Sequence, residues 1–180
     1  MGANWIILPV LGERIFRIRI EALDPAAAGM LGMSVLMGAR GVGALIGPMI
    51  SSRYVKHHES RFGTAIAFSF LACFAGYLAL GSAPGLFFAC MCIMFAHAGG
   101  ATAWVYSTTL LQLHTDDRFR GRVFAAEQAF AMLTMSVVTY TGGLLVDAGM
   151  SVFTLATITG LLLLLPASLW ALAQRTWKYT

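Results

Sequence analysis

The chain has 180 residues, 58% hydrophobic and only 11% charged, with a net charge of +4 and a mean hydropathy of +0.76. A soluble domain of this length carries about one-quarter charged residues, so there is too little charge to cover a water-facing surface. Several apolar runs reach the length of a spanning helix and do not alternate, which selects an all-α integral membrane protein over a β-barrel.

Residues 1–11 are apolar but lack a basic n-region and a small-residue cleavage site. They are too few to cross a bilayer and read as either a re-entrant or surface piece or the remnant of a spanning helix. Residues 12–28 interleave Glu13, Arg14, Arg17, Arg19, Glu21 and Asp24 with Ile15, Phe16, Ile18, Ile20 and Leu23. That mixture fits an interfacial amphipathic segment, with Pro25 opening the next element.

A five-helix membrane bundle is expected over 29–173, with spans at 29–52, 62–80, 86–111, 123–146 and 152–173. Pro166 falls late in the fifth span, and 174–180 form a short tail. The first span is rich in glycine, and Gly43 and Gly47 stand at the GxxxG spacing that lets helix backbones approach closely in lipid.

The longest polar interval is 108–124, where five charges fall within 116–122. It reads as a membrane-surface loop between spans three and four. Asp116, Arg118, Arg120, Gly121 and Arg122 form a candidate cytoplasmic gating set. Glu127, one and a half turns into span four, is a candidate acid for a latch with such arginines, and simple solvated surface charges fit the same residues equally well.

Charge then sets orientation. Arg53, Lys56, Arg61, Arg118, Arg120, Arg122, Arg175 and Lys178 lie in the loops 53–61 and 112–122 and in the tail, whereas the turns 81–85 and 147–151 carry no base. By the positive-inside rule the basic loops and the C-terminus face the cytoplasm. The basic residues thus report orientation in a cell membrane rather than nucleic-acid binding.

Two interior residues stand out. Arg40 lies mid-span, about 16–18 Å from either end at 1.5 Å per residue, where a charge usually faces protein or a water-filled cavity. His97 sits at similar depth in span three, with Trp104 and Thr108 at i+7 and i+11 on its helix face. Arg40, His97, Trp104 and Thr108 are therefore the candidate substrate or coupling cavity, although a structural role in packing fits the same positions. Cys73, Cys90 and Cys92 show no metal or redox spacing, no hydrolase or nucleotide motif is present, and neither enzyme chemistry, a metal nor a cofactor is expected.

Thr109-Leu110-Leu111-Gln112, then Asp116 and Arg120-Gly121-Arg122-Val123-Phe124, resembles the loop between helices ten and eleven of the major facilitator superfamily. Gly41-Val42-Gly43-Ala44-Leu45-Ile46-Gly47 is similar to helix eight of its enterobactin and macrolide exporter branch. After Gly47 the chain departs from the family's second loop motif, since Ser52-Arg53-Tyr54-Val55-Lys56 lacks the acid and the second glycine. The resemblance implies the C-terminal six-helix bundle of that fold, with five spans and a truncated first helix. It further implies a small-molecule exporter working by alternating access with a missing or separate N-terminal half, or with a second copy of itself. A membrane assembly partner that does not transport, or an inactive remnant, is the alternative expectation.

Overall fold

The computed structural model describes residues 2–18, 24–56 and 58–177. Its elements are α1 (Asn4–Val10), a π-helical extension (Leu11–Ile15), α2 (Pro25–Val55), a 3-10 turn (Glu59–Arg61), α3 (Phe62–Leu80), α4 (Leu86–Leu113), α5 (Asp117–Asp147), α6 (Val152–Leu162) and α7 (Leu164–Trp177). No strand occurs among the described residues. Five stretches, with α6 and α7 joined as Val152–Arg175, are long and apolar enough to cross a bilayer. With side chains such as Phe87, Leu45 and Phe130 turned outward, this is the build of a multi-pass membrane protein.

Local chemistry accounts for the helix ends. Pro25 occupies the first turn of α2, and the Asp24 carboxylate caps it by accepting from the Ala27 amide at 2.8 Å. Asp116 likewise accepts from the Arg118 amide at 2.9 Å and starts α5 at Asp117. The polar interval is therefore mostly helix, and only residues 114–116 lie between α4 and α5. Pro166 has no amide to give the Leu162 carbonyl, and the fifth span breaks beside it at Leu163. Gly149 takes a left-handed φ of 94°, which closes the turn after α5 at no steric cost.

The interval 12–28 does not form one separate helix. Residues 12–15 continue α1 and 25–28 begin α2, while 19–23 of that expected segment, like 178–180 of the tail, lie outside the described residues.

At the centre stands α4, packed along α2 on one side and α3 on the other, with α2 and α3 scarcely touching each other. A Cβ at Gly43 or Gly47 would fall onto the backbone of Met94 or Ala98, and one at Gly99 onto Ser69. Those small residues let three helices meet backbone to backbone, as close packing in lipid favours. Behind this sheet of helices, Ile7, Leu8 and Leu11 are fully buried with Leu36, Leu80 and Ile93. The short first helix is thus part of the core. By contrast α5 leans on the bundle only lightly, through a bond from Thr139 Oγ1 to the Gly2 carbonyl at 2.8 Å, and Gly142 is its one buried residue.

A second cluster gathers Val55, Ala65, Ile66 and Tyr106 with Phe62, Phe70, Leu110 and Trp170. The Phe62 and Tyr106 rings stack with centroids 5.1 Å apart, the Tyr106 hydroxyl lies 3.1 Å from Ser51 Oγ, and Trp170 Nε1 donates to the Gly63 carbonyl at 2.9 Å. Trp170→Phe keeps most of the ring's packing and removes that donor. It is expected to cost about 1 kcal/mol, read as a fall of about 2–4 °C in the melting temperature in detergent. An unchanged melting temperature would mean the Gly63 carbonyl is satisfied without the indole.

Candidate functional site

Arg40 stands at the midpoint of α2 and His97 near the middle of α4. Because the glycine face of α2 packs against Met94 and Ala98 of α4, the two side chains reach one pocket of about 490 Å3. Trp104 lines it two turns from His97, and Gly41, Ala44, Pro48, Gly100 and Ala101 complete much of its wall. The walls come from α2 and α4 alone, so the pocket is two-sided. A Cβ at Gly41 would meet nothing within 4 Å, which leaves room beside the arginine.

The polar atoms at this site are incompletely satisfied. Arg40 Nε and His97 Nε2 are both buried without a hydrogen-bond partner among the described residues. The Arg40 guanidinium lies over the Trp5 ring, 5.2 Å from its centroid. The His97 ring, only 4% exposed, meets Tyr77 edge-on at 6.5 Å, and the Tyr77 hydroxyl donates to Asn4 Oδ1 at 3.4 Å. Polar and aromatic groups from α1, α2, α3 and α4 therefore gather around Arg40 and His97.

No acid, serine or cysteine lines the pocket, and no cluster of three or more metal-ligating side chains forms among the described residues. What the arrangement offers is one fixed positive charge, an imidazole able to donate or accept according to its tautomer, and an indole face. Those are the means to hold a small molecule.

Thr108 does not line this pocket. It lies one turn beyond Trp104, with its own Oγ1 buried and unpartnered. The arginine-rich set sits elsewhere, at the start of α5. There Arg120 pairs with Asp117 at 2.5 Å and also reaches the Thr115 carbonyl at 3.5 Å, while Arg118 lies over the Phe119 ring at 5.5 Å. Arg122 and Gly121 are exposed, and the half-buried Glu127 makes no ion pair with these arginines.

Trp5, Asn4 and Tyr77 are site neighbours that sequence reasoning passed over. Nothing in the local sequence of Trp5 places it beneath residue 40. The one available signal was Asn4, a polar side chain within an otherwise apolar run. An apolar groove of about 410 Å3 also runs between α2 and α3 over α4, lined by residues such as Ile46, Phe68 and Phe95.

Compared with known protein families, with curated proteins and with solved structures, the chain matches none of them.

Proposed function

We propose that this chain is the C-terminal bundle of a major-facilitator-type secondary transporter, a small-molecule exporter. Transport of that kind proceeds by rocking two bundles about a central site, so the working unit requires an N-terminal half, on the same or a separate chain, or a second copy. The observation that carries the reading is the meeting of Arg40 and His97, distant in sequence, in one pocket at mid-depth of two spanning helices. Interior charge facing a cavity is costly in lipid and marks transport pathways. A pocket walled on only two sides suits a site that an opposing bundle completes.

Reconstitution tests this directly. Proteoliposomes holding the chain, alone and with candidate N-terminal bundles, are loaded with the amphipathic dyes Hoechst 33342 or 5-carboxyfluorescein. Counterflow that Arg40→Met lowers steeply supports a carrier. Absence of flux in every combination, with a stable complex to another membrane protein, favours the assembly-partner reading instead. The nearly bare α5 is the feature that would seat such a partner.

In a cell membrane the arginine-bearing end of α5 and the C-terminus are assigned to the cytoplasm. A Cβ at either Gly85 or Gly121 meets nothing within 4 Å, so cysteines are tolerated there once Cys73, Cys90 and Cys92 are replaced. An impermeant maleimide is expected to label Gly85→Cys in intact cells and Gly121→Cys only after permeabilisation. The reverse pattern would overturn the orientation.

A further inference from the structure

We propose that the Arg40 pocket takes an amphipathic organic anion, a carboxylate carried on a flat apolar body. This rests on the carrier reading only for the ligand being cargo. Among the described residues the guanidinium has no ion pair, and it lies over the uncharged Trp5 ring. No acid lines the pocket. In a medium of low dielectric an uncompensated cation is strongly unfavourable, and a hydrogen-bonded counter-charge is what relieves it. Arg40 and His97 line one space, and their Nε and Nε2 atoms are buried without partners, so a carboxylate seated there meets the guanidinium with the imidazole beside it. Planar carboxylates suit the guanidinium fork.

The remaining lining is apolar and small, with the indole of Trp104 as its one large flat surface. That surface fits an aromatic or fused-ring body, and the volume lies in the range of small-ligand pockets. Lipid headgroups are a poor source of the anion. Arg40 stands about 20 Å from either end of α2 at 1.5 Å per residue, whereas phosphates sit outside a hydrocarbon core about 30 Å thick. A cationic or neutral ligand would leave the guanidinium as it stands.

The test uses the full chain in phosphatidylcholine nanodiscs and tritiated 1-naphthaleneacetate as the probe, read by scintillation proximity. Unlabelled 1-naphthaleneacetate is expected to displace it at least tenfold better than the neutral amide 1-naphthaleneacetamide or the cation 1-naphthylmethylamine. Arg40→Gln is expected to lose binding by tenfold or more. Arg40→Lys, which keeps the charge and guards against a folding artefact, should retain part of it. Equal displacement by acid, amide and amine, or binding indifferent to Arg40→Gln in monodisperse protein, overturns the proposal. So does absence of anion binding together with a co-purifying membrane polypeptide that Arg40→Gln releases, because a protein carboxylate then supplies the counter-charge. The measurement needs no flux: carboxylate-selective binding without counterflow keeps the site and sinks the carrier, and counterflow without carboxylate preference does the opposite.

Discussion

Gly43→Leu is expected to separate α2 from α4 and leave little folded protein. The helices meet here without intervening side chains, since a Cβ at this position would already fall on the Met94 carbonyl. A leucine adds three more carbons, and no rotamer avoids the opposing backbone. Overpacking of a closed interface costs about 1–3 kcal/mol and occasionally more, and this interface is one of the two most extensive in the molecule. The upper end of that range is expected, because backbone, unlike a flexible side chain, cannot swing aside. Gly47→Leu should behave similarly, being placed against Ala98 in the same way. Gly38→Ala is the control. Nothing lies within 4 Å of its Cβ, and alanine in a helix interior is favoured over glycine by up to about 1 kcal/mol. Thermal scanning by size-exclusion chromatography should show aggregation for Gly43→Leu and an equal or higher melting temperature for Gly38→Ala. Matching curves would mean that α2 and α4 do not approach as described.

Arg40→Met is expected to lower counterflow steeply while leaving stability equal or higher. Hydrogen bonds to a charged group contribute about 1.5–3 kcal/mol each, so losing them lowers flux by about 10–100-fold. Folding should respond in the other direction. The guanidinium has no acidic partner among the described residues, and replacing an uncompensated interior charge by an apolar side chain of similar length removes a desolvation cost. The loss over Trp5 offsets part of this, since a cation–π contact contributes about 0.5–2 kcal/mol. The diagnostic result is opposed movement of the two readouts, as expected where a functional site is kept at the expense of stability. A fall in both flux and melting temperature would reassign Arg40 to structure.

The ends of the long helices were largely legible in the sequence because they are set by nearby residues. Pro25 with Asp24 and the turn around Pro84 and Gly85 act within a few positions of themselves. The start of α5 is the exception. The charges of 117–122 drew the span boundary inward, although a helix readily carries them once Asp116 has capped it. That residues 1–11 are too few to span alone says nothing about their burial. Ile7, Leu8 and Leu11 fill the core because α2, α3, α4 and α6 leave a space that a short helix fits.

The candidate site divides along the same line. Arg40 and His97 could be singled out one at a time, since interior polarity is visible against an apolar run. Their shared pocket could not, because it depends on how far α2 and α4 are rotated about their own axes. That rotation placed Trp104 in the lining and left Thr108 outside it. It also brought Trp5 under the guanidinium.

Taken alone, the sequence determined that this is a helical chain with five apolar segments, where most of them start, and which glycines permit close approach, all of which follow from hydropathy and near-neighbour backbone chemistry. Only the tertiary structure decided which faces meet, that the first helix is core, that α5 is nearly bare, and that the two interior polar residues share one space. Crossing and rotation of helices arise from the fit of whole surfaces, and no short window of sequence contains them.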